Sequence, residues 1–241
     1  MKPVAIFRYS PTEGPGYFAT YLDRQAIPCL LTRVDAGDPL PASIDAFSGL
    51  VFMGGPMSVN DDLPWIPPVL ELIRSAVARD MPVLGHCLGG QLMSKALGGT
   101  VSRAPAKEIG WGEVQVQGEA NASDWFGPGL TGFVTFHWHG ETFTLPPGAS
   151  CILSSVHCRN QAFVLGRNLA LQCHVEMTEE MVKEWYALGA DEVAASLSSP
   201  AVQDAEAASA NLEHRVALLH AVADRLYGHW IEALPKQGRL G

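Results

Sequence analysis

The stretch that most constrains this chain runs from Met81 to Leu97, where a short apolar run turns abruptly into a helix. Val83-Leu84, bounded by Pro82 and Gly85, reads as the end of a buried strand. Leu88, Leu92, Met93, Ala96 and Leu97 then recur at helical spacing. At the corner sits Gly85-His86-Cys87-Leu88-Gly89, a G-x-C-x-G turn. A residue at so sharp a strand-to-helix corner takes strained backbone, and flanking glycines let neighbouring chain pass close by. The corner pushes the Cys87 side chain beyond the carboxyl edge of a sheet. It also sets the sulfur at a helix N-terminus, where free N–H groups and the macrodipole favour thiolate. A free cysteine is more commonly a small apolar packing residue. The two-sided glycines and the partners found downstream make Cys87 a candidate nucleophile instead.

Around this corner, strands and helices alternate. Pro3 to Phe7, Cys29 to Val34 and Leu50 to Met53 read as strands, Tyr17 to Gln25 and Trp65 to Asp80 as helices. The second of these helices turns Ile66, Val69, Leu70, Ile73, Ala76 and Val77 to one side. Such alternation predicts an α/β fold with a mostly parallel central sheet flanked by helices. The third strand ends in Gly54-Gly55-Pro56-Met57-Ser58, whose glycine N–H groups are free to face an anion beside the Cys87 corner. After Leu97 the texture becomes β-rich: Val101, Trp111 to Val116, Phe133 to Trp138, Cys151 to Val156 and Ala162 to Leu165. A last strand, Leu169 to Cys173, runs into His174-Val175-Glu176. Thr178 is positioned to cap a helix carrying Met181, Trp185 and Leu188 on its apolar face. The Ala/Ser-rich patch Ala194 to Ala210 reads as a loosely specified turn. The final helix repeats Leu212, Val216, Leu219, Ala223, Leu226 and Trp230. That stripe suits packing on its own domain more than a dimer seam, and leaves a homo-oligomer open. The expected division is a main domain over 1–190 and a helical extension over 191–241, packed on the same domain.

Of the 241 residues 47% are hydrophobic, enough for a full α/β core. With a net charge of -9 and no long Lys/Arg run, nucleic acid is not an expected partner. Five cysteines without a C-x-x-C pair argue against a disulfide framework or a thiolate zinc site; Cys29, Cys151 and Cys173 lie in apolar runs, as reduced core cysteines do. No signal peptide or membrane span is evident, and a reducing cytoplasm is the expected setting.

A thiolate nucleophile needs a base and a group that orients the base. His174 and Glu176, two apart on an extended segment, emerge on the same face. Glu176 can then accept from one ring nitrogen of His174 and leave the other for Cys87. His137 and His139, in H-W-H, have a spacing a metal could use, but the sequence offers no third ligand and no metal is expected. His86 should point away from the mouth of the site, His157 lies in a loop, and His214, His220 and His229 are solvated or packing residues.

The segments Gly85 to Gln91, Gly54 to Ser58 and His174 to Glu176, in their order and separations, resemble the class I (triad) glutamine amidotransferases over residues 3–190. Stand-alone proteins similar to the amidotransferase domain of GMP synthase are the nearest match. The resemblance implies a flavodoxin-like fold, with Cys87 as nucleophile, His174 as base and Glu176 as its orienting carboxylate. It also implies an oxyanion hole from the N–H groups of Gly55 and Leu88, and substrate contacts from Gly54 and Gln91. The family's substrate-holding Ser-His-Gly or Asn-His-Gly stretch falls on Trp138-His139-Gly140, with Trp138 replacing the usual polar residue. The implied substrate is glutamine or another γ-glutamyl compound, without a cofactor. A P-loop and an S-G-G-x-D-S motif are both missing from the chain, so any acceptor of ammonia would be activated by a separate synthetase. Two alternatives remain: hydrolysis of γ-glutamyl peptides by the same three residues, and a non-catalytic binding protein on this fold.

Overall fold

A computed structural model describes residues 1–235 of the chain. The first half alternates strand and helix as its periodicity predicts: β1 (Val4–Arg8), α1 (Gly16–Arg24), β2 (Cys29–Arg33), β3 (Gly49–Phe52), α2 (Ile66–Ala78), β4 (Val83–His86) and α3 (Leu88–Ala96). The antiparallel half follows with β5 (Val101–Val116), α4 (Glu119–Phe126), β6 (Gly132–Phe143), β7 (Ser150–Ser154), β8 (Ala162–Leu165) and β9 (Asn168–Leu171). The chain closes with α5 (Glu179–Leu188), α6 (Ala190–Ser196), β10 (Ala201–Val202), α7 (Ala205–Ser209) and α8 (Leu212–Glu232).

One sheet runs through the molecule in the order β10-β5-β7-β8-β9-β4-β3-β1-β2, with β6 paired to β5. Its centre, β2-β1-β3-β4-β9, is parallel throughout. That is the flavodoxin-like order, which reverses direction between β1 and β3 and leaves a crevice at the carboxyl ends of the strands. Successive residues of β1 feed opposite faces. Val4 and Ile6 join α1, α5 and α8, while Ala5 and Phe7 join α2 and α3. Every residue of the α8 stripe, from Leu212 to Trp230, is buried in the first of these layers, so the stripe packs on its own chain. Thr178 caps α5 as expected, accepting from the Met181 N–H.

The structure departs from the sequence reading in several places. Val101 and Trp111 to Val116 belong to one strand, β5, whose pairing with β6 shifts register between Arg103 and Glu108, around Pro105. A short helix, α4, lies where only a connection between strands was expected. The Ala194 to Ala210 patch is not a loose turn. It holds the end of α6, the strand β10, parallel to β5, and the helix α7 capped by Asp204. Cys29 is exposed because β2 is the sheet edge. Leu188 is 69% exposed. Residues 236–241 of the expected extension lie outside the described residues.

Candidate active site

Four connections leave the carboxyl edge of the parallel strands and meet over the crevice. They carry Glu13 after β1, Gly54 to Ser58 after β3, the Cys87 corner after β4, and His174 to Glu176 after β9. Between them opens a cavity of about 360 Å³ bordered by Glu13, Gly55, Cys87, Gln91, Trp138 and Trp185.

The corner has the strain the sequence implied. Cys87 sits at φ 48° and ψ -106°, on the left-handed side, at a cost of about 1–3 kcal/mol. Its N–H donates to the Leu171 carbonyl at 2.8 Å, and its carbonyl accepts from the Gln91 N–H at 3.0 Å, so the backbone on both sides is fixed. The glycines serve packing: a side chain at Gly89 would run into the Phe52 carbonyl, and one at Gly85 would lie 2.5 Å from the backbone of Gly89. Helix α3 thereby lies directly against β3 and β4. The thiol is directed into the cavity, with Gln172 Nε2 3.6 Å and the Trp138 carbonyl 3.9 Å from Sγ.

His174 is held from behind and below. Its N–H donates to the Phe136 carbonyl at 2.8 Å and its carbonyl accepts from Thr135 Oγ1 at 3.0 Å. Nδ1 donates to Glu176 Oε1 at 2.6 Å, and the Trp185 ring meets the imidazole edge-on at 4.9 Å. Burial pulls the His174 pKa down, but Glu176 and Cys87 outweigh it and lift it well above its usual value. Burial pushes Glu176 up, but His86 and His174 outweigh it and hold it at about 2. An imidazolium facing a carboxylate is therefore the favoured buried pair. His86 points away from the cavity, as expected. Its Nε2 lies 3.1 Å from the Tyr227 hydroxyl and 3.7 Å from Glu176 Oε2, and burial lowers its own pKa.

Gly55 and Leu88 lie side by side, since a Cβ on Gly55 would be 2.7 Å from Leu88 Cδ2. Gly54 lies against the Glu13 carboxylate, which a Cβ there would run into, and near the His174 ring, which that Cβ would approach to 3.5 Å. Gln91 borders the cavity and donates through Nε2 to Gln172 Oε1 at 3.2 Å. Trp138, His139 and Gly140 form one wall. The Trp138 indole, however, turns towards α5 and α6: Nε1 donates to Glu192 of α6 at 3.0 Å and the ring meets Tyr186 of α5 at 5.1 Å. What Trp138 turns towards the sulfur is its backbone carbonyl.

Three features escaped the sequence reading. Gln172, fully buried behind the sulfur, was signalled only by its being polar within an apolar strand. Glu13 lies in a turn-rich loop; burial raises its carboxyl to about 7, against the pull of His174. Third, the H-W-H pair does have an acidic neighbour: Glu108, on β5, lies with His137 and His139 in a buried cluster. The remaining histidines pack or face solvent. His220 stacks on Tyr17 at 3.5 Å, His229 meets Trp125, and His214 is exposed.

Residues 23–186 match the family model for glutamine amidotransferase class-I. A solved glutamine amido transferase from Methylobacillus flagellatus superposes with a TM-score of 0.96 at 45% identity, covering 100% of this chain and 98% of that one. A GMP synthase of Aromatoleum aromaticum is 30% identical over 164 residues, 64% of this chain but only 30% of that protein. Gamma-glutamyl peptidase 3 of Arabidopsis thaliana is 25% identical over 162 residues, 64% of this chain and 65% of that protein. With its parallel core, its cysteine corner and a family match over most of its length, the chain belongs to the class I glutamine amidotransferase family.

Proposed function

We propose that this protein hydrolyses the side-chain amide of glutamine through Cys87, His174 and Glu176 and delivers the ammonia to a synthetase partner. The observation that carries the reading is the 2.6 Å His174–Glu176 hydrogen bond beside a thiol held in strained backbone at the cavity wall. The Cys87 sulfur attacks the amide carbon. Negative charge develops on the amide oxygen and is received by the N–H groups of Gly55 and Leu88, donors of a kind typically worth about 3–4 kcal/mol each. His174 passes its proton to the departing nitrogen, which leaves as ammonia, and a γ-glutamyl thioester remains on Cys87. His174 then takes a proton from water, the resulting hydroxide attacks the thioester, and glutamate leaves as the thiol is restored. Glu176 keeps the imidazole aimed and balances its charge. Gln91 and the backbone of Gly54 and of Trp138-His139-Gly140 hold the amino-acid end. Glu13 receives its α-ammonium group.

A second reading is hydrolysis of γ-glutamyl peptides by the same residues. The similarity to a γ-glutamyl peptidase favours it, as does the apolar rim of the cavity, where Trp185 and the exposed Leu188 would meet a leaving amino acid. Incubation with L-glutamine and, separately, with a γ-glutamyl dipeptide tells the two apart. Ammonia from glutamine, with a γ-glutamyl adduct on intact protein by mass spectrometry, is the expected result. Release of the amino acid from the dipeptide alone selects the second reading. Silence with both, and no adduct, overturns catalysis by this site.

A further inference from the structure

Behind the wall formed by Trp138-His139-Gly140 lies a second group of polar side chains that the proposed reaction does not use. Positions 137 and 139 of β6 point to one face, and Glu108 of β5 pairs directly with His139 across the ladder. Opposite His137 stands Gly110, which adds no side chain of its own; Gln203 and the Tyr186 hydroxyl lie against it. One donor atom from each of Glu108, His137 and His139 lies within 4.8 Å of the others, and all three residues are at least 96% buried.

The hydrogen bonds around this group aim it inward. The Glu141 carbonyl, 3.1 Å from His139 Nδ1, can only accept, so that nitrogen carries a proton and Nε2 is the atom turned towards Glu108. His139 Nε2 lies 3.1 Å from Glu108 Oε2 without an aligned hydrogen bond. Among the described residues neither ring nitrogen of His137 has an aligned hydrogen bond, with the Gly112 backbone alongside. Buried polar atoms left this way are costly. Glu108 is oriented from outside, accepting from Ser155 Oγ and from Gln161 Nε2, both at 2.8 Å. Among the described residues its ion pairing is with His139 and with no Lys or Arg. A cavity of about 230 Å³ adjoins Glu108 and His137 and extends past Ser155 and His157.

We propose that Glu108, His137 and His139 bind a divalent transition cation of the zinc class. Two imidazoles and one carboxylate are a donor set such ions take with an open fourth position, which the adjoining cavity would supply. Oriented supporting partners on the carboxylate and on one histidine are what such sites require. Metal–ligand bonds of about 2.0–2.2 Å ask the three side chains to draw together by about an ångström from their present spacing. Since His139 also borders the cavity of the candidate active site, the ion would pin the β5–β6 arm whose Trp138 carbonyl faces Cys87.

The test uses the full chain prepared without a metal-affinity tag, stripped with a chelator and titrated with Co²⁺, following the visible absorption of the bound ion. One Co²⁺ per chain, displaced by Zn²⁺, is expected for the unmodified protein and for Cys87→Ala. In His137→Gln and Glu108→Gln, checked for folding by circular dichroism, binding should weaken by at least about 100-fold. Anomalous diffraction at the cobalt edge on crystals of the unmodified protein should place the ion among the three side chains whatever the variants do. No binding at millimolar Co²⁺, unchanged binding in His137→Gln, loss with Cys87→Ala, or an anomalous peak elsewhere would each overturn the site.

Discussion

The Tyr227 hydroxyl lies 3.1 Å from His86 Nε2, and the same nitrogen lies 3.7 Å from the carboxylate of Glu176. The last helix thus reaches, through one histidine, the rear of the group that orients His174. His86 is one of the causes that hold Glu176 at about 2. Replacing it with leucine keeps the volume and removes that influence, so the carboxyl rises. The acidic limb of the kcat/KM profile should move to higher pH. A profile that superposes on wild type would deny His86 this positioning role.

Cysteine substitutions separate the sulfur of the corner from its neighbours. Cys87→Ser should reduce glutamine turnover by more than about 10³-fold, as loss of the nucleophile does in enzymes of this logic. Cys151→Ser should leave turnover nearly intact, since among the described residues its sulfur bonds to the Leu153 and Arg159 carbonyls of its own hairpin. Equal loss in a steady-state ammonia assay would count against the assignment.

Glu13 makes two signed predictions. Its carboxyl is raised to about 7, so the free protein loses this negative charge as pH falls through neutrality. If it receives the substrate's ammonium group, KM should climb below pH 7 in the wild type and become flat in Glu13→Gln. Stability runs the other way. A carboxyl whose folded pKa exceeds its unfolded value of about 4.3 contributes stability below that value, and the contribution is lost as pH rises through 7. Glu13→Gln should therefore melt above wild type at pH 8 and level with it at pH 4, which differential scanning calorimetry reads directly.

Gly89 is the position where the corner tolerates least. An added methyl group meets the Phe52 carbonyl, fixed in the centre of the sheet, so Gly89→Ala should cost about 3 kcal/mol or more in urea unfolding. Gly14→Ala, with nothing within 4 Å of the added carbon, should stay within about 0.5 kcal/mol.

The parts legible in the sequence were those governed by local rules. The strand–corner–helix unit at Cys87 announces itself because glycine placement, strand burial and helical spacing fall within a few residues. His174 and Glu176 were visible because a two-residue spacing on extended chain needs no tertiary knowledge. The parallel sheet followed from the alternation of strand and helix, and its flavodoxin-like order from the family resemblance. What stayed hidden depends on partners far apart in the chain. Glu108 meets His139 only through the β5–β6 register, which bends around Pro105. Gln172 reaches the sulfur only because β9 lies beside β4. The rotation of the Trp138 indole towards Glu192 depends on α6, in a region whose composition gave no period to follow. Cys29 and Leu188 were misread for a related reason: an apolar run says what wants cover, and only the sheet edge and the cavity rim say that none was supplied.

The family match ends at residue 186, yet Trp230 of α8 lies under Gly49 and against Phe18, and Tyr227 stands behind the Glu176 carboxylate by way of His86. A fragment trimmed to the family boundary would bare both the floor of β3 and the back of His86 to water. For this member, then, the smallest unit worth expressing, crystallising or assaying is set by that helix rather than by the shared profile.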